Sequence, residues 1–75
     1  MNMNFYKKYI KVGLNVAYYR KLNGYTQLQL SELADISNIH LGKIETAKAG
    51  VSLDVLFKLS EVLNVPANKF LEDRD

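Results

Sequence analysis

At 75 residues the chain is one domain, of a size that folds alone by a small margin. A hydrophobic fraction of 48% with 24% charged residues excludes a disordered chain, and the absence of Cys excludes a disulfide framework or a thiolate metal site. The net charge of +2 permits nucleic acid as a partner without requiring it, and the apolar stretch Val12 to Tyr19, interrupted by Asn15, is too short and too polar for export or membrane spanning.

In chain order, the punctuation marks out five short helical segments and no strand. Asn23-Gly24 ends the first segment, because glycine takes the left-handed position after a helix at little cost. Thr26-Gln27-Leu28-Gln29 reads as a capping box, with Thr26 as the cap and Gln29 reaching back. A second helix over about 27–34 follows, then a tight turn at Asp35-Ile36 in which Asp35 tolerates a positive φ. Ser37 caps a third helix, about 38–46, and 47–51 forms a loop. Ser52 caps a fourth helix, 53–63, and Val65-Pro66 opens a short fifth, because proline suits a first turn. The charged tail from Glu72 to Asp75 is expected to fray.

Apolar residues fall at helical spacing within these segments. Val12, Val16 and Tyr19 line the first helix, Leu30 with Leu33 or Ala34 the second, and Leu41 with Ile44 the third. Leu53, Leu56, Leu59 and Leu63 continue the stripe through the fourth, followed by Phe70 and Leu71. A compact all-α bundle of five helices around one core is the expected architecture. It spans residues 1–75 with its core at about 9–71, and Met1 with the full helix set favours a whole small chain.

Two helices, each too short to persist alone, joined by a tight turn make a helix-turn-helix pattern. Arg20, Gly24-Tyr25-Thr26-Gln27, Leu30, Ile36-Ser37, Leu41-Gly42-Lys43-Ile44-Glu45, Ser52-Leu53 and Leu56 stand in this order. In that order the run from Val12 to Leu71, about four fifths of the chain, resembles the lambda-repressor-like helix-turn-helix domains, the Cro/C1 or xenobiotic-response-element type. The chain departs from that pattern at Ser31 and Asp35, where Ala and Gly are usual, and at Ala47 and Val51, where Gly and Pro are usual.

The resemblance implies a sequence-specific regulator of transcription, a repressor that binds double-stranded DNA as a homodimer on an inverted repeat. Its third helix would enter the major groove. Carried over by position, Asn38, Ile39 and Lys43 are the base readers, and Ser37 opens the same helix. Their chemistry suits base reading, since Asn pairs with adenine, Ile packs on a thymine methyl, and Lys donates to guanine. Ile39 stands apart from the core face that Leu41 and Ile44 supply. Gln27, at the start of the second helix, would anchor phosphate, with His40, Thr46 and Lys48 as further backbone contacts. Arg20 and Glu45 are implied to be a structural ion pair.

No cofactor, metal or small-molecule substrate is implied, and the expected setting is cytoplasmic. The single His40 has no second His and no Cys beside it for a metal, and no Gly-rich phosphate loop or nucleophile with a base suggests an enzyme. A different class of function competes: an antitoxin-type or partner-binding module whose main role is to hold another protein. Tyr6, Ile10, Leu14 and Tyr18 at i, i+4 spacing, extended by Leu22, mark either a partner or dimer face on the first helix or a surface onto which Phe5 and the N-terminal turn fold. For the homodimer, the resemblance implies a competing interface at Val62, Val65, Phe70 and Leu71, since small regulators of this kind pair through their C-terminal helices.

Overall fold

A computed structural model describes residues 3–73. A single 3-10 turn, Met3–Phe5, leads into α1 (Tyr6–Leu22), followed by α2 (Gln27–Leu33), α3 (Asn38–Glu45) and α4 (Leu53–Leu63). A second 3-10 turn, Ala67–Leu71, closes the described chain. No strand occurs among the described residues, and no helix among them is long and apolar enough to cross a membrane.

The expected fifth helix is therefore a correction: it is a 3-10 turn, and the described residues form four α-helices with a 3-10 turn before the first and another after the last. Pro66 precedes the turn in an extended conformation, and five residues are too few to propagate an α-helix that has no cap of its own. Phe70, fully buried and edge-on to Tyr19 at 6.0 Å, holds the turn against the body instead.

The helix ends follow the local chemistry. Gly24 sits at φ 78°, while the Gly24 and Tyr25 amides donate to the carbonyls of Lys21 and Arg20. Thr26 accepts from the Gln29 amide at 3.0 Å and the Thr26 amide donates to Gln29 Oε1 at 2.9 Å, which completes the capping box. Ser37 and Ser52 accept from the amides of His40 and Val55. Asp35 takes φ 55° between α2 and α3, and the Ile36 amide closes the turn onto the Ser31 carbonyl. A side chain at that φ costs roughly 1–2 kcal/mol, of which glycine recovers part after its own entropy loss. Asp35→Gly is expected to raise stability by about 0.5–1 kcal/mol in thermal or urea unfolding, whereas β-branched Asp35→Val should lower it.

Val16, Leu30, Leu41, Leu59 and Phe70 are fully buried, with Val12, Ile44, Leu56 and Leu63 beside them. In α2 the core position falls to Ala34 rather than Leu33, which is exposed. Two residues expected in the core lie outside it: Leu53, at the very start of α4, and Leu71, next to Phe70. Phe70 in turn is core and is not available as part of a C-terminal interface.

The expected fraying of the tail is overturned as far as residue 73. Asn15, buried on α1, donates from Nδ2 to the carbonyls of Phe70 at 2.9 Å and Glu72 at 2.8 Å, and Lys11 meets Asp73 at 2.6 Å. A buried amide that satisfies two carbonyls removes the cost those groups would otherwise carry. Arg74 and Asp75, also expected to fray, lie outside the described residues.

Candidate nucleic-acid interface

The candidate site is α2, its turn and α3, held against α1. Gly13 of α1 is buried where the two helices cross, and a Cβ placed there would stand 2.4 Å from the Ile44 carbonyl oxygen and 2.9 Å from that of Glu45. Only a residue without a side chain lets α1 approach the end of α3 so closely. Ser31, buried in α2, turns its hydroxyl back onto the Leu28 carbonyl and so enters the interior without an unsatisfied group.

One polar cluster fixes the frame. Arg20 grips Glu45 through two bonds, Nε to Oε2 at 2.8 Å and a terminal guanidinium nitrogen to Oε1 at 3.1 Å. The other terminal nitrogen donates to the Tyr25 carbonyl at 2.9 Å, and Gln27 Nε2 donates to Glu45 Oε1 at 2.9 Å. With Glu45 side-chain exposure at 4% and Arg20 at 11%, this bidentate pair is shielded from water and salt. It ties the end of α1, the start of α2 and the end of α3 into one unit.

On that frame α3 turns Leu41 and Ile44 inward and leaves Asn38, Ile39 and Lys43 exposed. Ile39 and Lys43 are one turn apart and share a face. Ile39 is 73% exposed, the highest value among the exposed large hydrophobic side chains of the described residues. Ser37 is exposed and its oxygen caps the helix, His40 is half-buried, and Lys48 is exposed in the loop after α3. The Lys48 amide bonds to the Lys43 carbonyl at 2.8 Å, and Ala47 beside it takes φ 59°, so this loop has a defined path. Thr46 commits its hydroxyl hydrogen to the Gly42 carbonyl at 2.8 Å, and would have to release it to donate to a phosphate. Gln27 keeps one amide hydrogen beyond the one it gives to Glu45. Two positioning residues, Gly13 and Asn15, carry no signal in the sequence, because both act through contacts far along the chain.

A helix-turn-helix family profile matches residues 16–70. The chain belongs to the helix-turn-helix family. Among the family's characterised proteins, the chain is 33% identical over 57 residues to control protein C.SmaI of Serratia marcescens, covering 76% of this chain and 68% of that protein. It is 32% identical over 65 residues to the HTH-type transcriptional regulator SinR of Bacillus licheniformis, covering 85% of this chain but only 59% of SinR. The N-terminal DNA-binding domain of SinR from Bacillus subtilis superposes with a TM-score of 0.79 at 31% identity, over 84% of this chain and 93% of that domain. The restriction-modification controller protein C.AhdI of Aeromonas hydrophila shares the fold, with a TM-score of 0.82 at 23% identity over 85% of this chain and 97% of its own. The helix-turn-helix identity bears out the resemblance carried by Arg20, Gln27, Leu30, Ile36, Ile44 and Glu45.

Proposed function

We propose that this helix-turn-helix chain is a DNA-binding transcriptional regulator, a repressor that acts in the cytoplasm as a homodimer on an inverted-repeat operator. The observation that carries the reading is the outward face of α3. A short capped helix, rigidly backed by Arg20 and Glu45, presents an amide, an exposed isoleucine and an ammonium to solvent. Asn38, Ile39 and Lys43 read base edges, Gln27 anchors phosphate at the start of α2, and Ser37, His40, Thr46 and Lys48 add backbone contacts. The relatives support this reading, being named a control protein, a transcriptional regulator and a DNA-binding domain. Two copies on half-sites about 34 Å apart supply the specificity that one short reading helix lacks. Its role is binding rather than catalysis.

Affinity selection of random duplexes at about 0.15 M salt tests the proposal. An enriched inverted repeat that disappears with Asn38→Ala/Lys43→Ala is the expected result, and no enrichment above that variant would remove specific reading by the chain alone. On the selected operator, Asn38→Ala or Lys43→Ala should each cost about 1–3 kcal/mol and little on random DNA. Lys48→Ala should weaken both alike and reduce the salt slope by about one. A second reading, a module that mainly binds another protein, is favoured by the apolar face of α1. SinR, a relative, is known in a SinR–SinI complex, where the likeness to this chain has a TM-score of 0.78.

A further inference from the structure

The outer side of α1 carries a feature that neither the core nor the α3 surface uses. Tyr6, Ile10, Leu14, Tyr18 and Leu22 follow one another at i, i+4, which sets them in a single ridge along the helix. The ridge lies away from Val12 and Val16, the buried residues of α1. Leu14 is 56% exposed and Leu22 67%. Along roughly 24 Å of helix, at 1.5 Å per residue, the ridge is one side chain wide.

The charges that α1 itself sets beside the ridge have one sign. Lys7, Lys11 and Lys21 lie on the same outer side, and the sequence has no Asp or Glu before Glu32. Lys11 is matched by Asp73, and Glu72 by Lys69 at 3.3 Å, so the two acids at the edge of the ridge are already answered within the chain. Lys7 and Lys21 are exposed. A second copy laid on this ridge would set lysine against lysine, with no carboxylate on α1 to meet them. A membrane-lying helix needs a broad apolar face, whereas this ridge is narrow and the opposite side of α1 buries Val12 and Val16 in the protein core. Ridges of i±4 residues pack into the grooves of other helices.

We propose that this outer face of α1 docks an acidic amphipathic helix of a partner protein, with apolar side chains against Leu14 and Leu22 and carboxylates reaching Lys7 and Lys21. The surface is separate from Asn38, Ile39 and Lys43, so the partner and DNA address different residues.

The test is a display selection with a library of helical peptides, apolar at fixed positions and free to carry Glu, Lys or Ser on the flanks, against the full chain. Enriched peptides should carry net negative flanks and move the amide resonances of α1. Their affinity should fall roughly tenfold or more with Leu14→Ser/Leu22→Ser, and Lys7→Glu/Lys21→Glu should favour lysine flanks instead. Both substituted leucines are exposed, so circular dichroism and operator binding should stay unchanged and separate this surface from the DNA-reading one. Peptides without charge bias, or binding indifferent to Leu14→Ser/Leu22→Ser, would overturn the proposal. So would self-association by sedimentation, or binding to phosphatidylcholine–phosphatidylglycerol vesicles, if either is abolished by Leu14→Ser/Leu22→Ser.

Discussion

Arg20→Ala is expected to destabilise the domain by about 3–5 kcal/mol, the range for removing one partner of a buried ion pair. The loss exceeds the worth of the pair itself, because the Glu45 carboxylate stays behind in a nearly closed site with only the Gln27 amide to meet it. The Tyr25 carbonyl loses its guanidinium donor in the same step. Against a total stability of about 5–15 kcal/mol for a native protein, such a change leaves a small domain close to unfolding at physiological temperature. Chemical denaturation measures it. The double substitution Arg20→Leu/Glu45→Leu should cost clearly less than the sum of the two singles, since no charge is left stranded. A loss below about 1 kcal/mol for Arg20→Ala would put the pair in the class of solvent-exposed ion pairs and remove it as the frame of α3.

Gly13→Ala should destabilise by about 3 kcal/mol, at or beyond the upper end of the range for overpacking. The sign is informative, because at an ordinary helix position the same change gains about 1 kcal/mol. Here the added methyl meets the Ile44 and Glu45 carbonyl oxygens, which are backbone and cannot swing aside. Either α1 separates from α3 or the last turn of α3 unwinds, and both tilt the helix that carries Ile39 and Lys43. Operator affinity should therefore drop along with stability, and a crystal structure of the variant should show the two helices further apart. A neutral or stabilising Gly13→Ala would mean that the two helices have room to separate at little cost.

The parts legible in the sequence were those with local causes. Thr26 with Gln29, Ser37, Ser52, Gly24 and Asp35 act on backbone within a few residues of themselves, so composition and spacing give them away. The Arg20–Glu45 pair was legible only through the family resemblance, since nothing local joins residues 25 positions apart. Gly13 and Asn15 look like ordinary interruptions of an apolar run. Their roles depend on which backbone arrives opposite them, Ile44 and Glu45 in one case and Phe70 and Glu72 in the other. Leu53 and Leu71 misled because helical spacing marks a stripe but not its edge: each sits where an element begins or ends and the core has already closed. The short element after Pro66 shows the same limit in another form, since five residues anchored by one phenylalanine need not complete an α-helical turn pattern.

The two bonds from Asn15 join the first helix to the closing turn, across sequence separations of 55 and 57 residues. During synthesis α1 leaves the ribosome well before the carbonyls and the phenyl ring it packs on. The nascent chain can thus hold its segments only loosely until Phe70 is free, after which the molecule closes in one step. An arrest series should accordingly find protease resistance appearing abruptly once that residue clears the exit tunnel, rather than accumulating helix by helix.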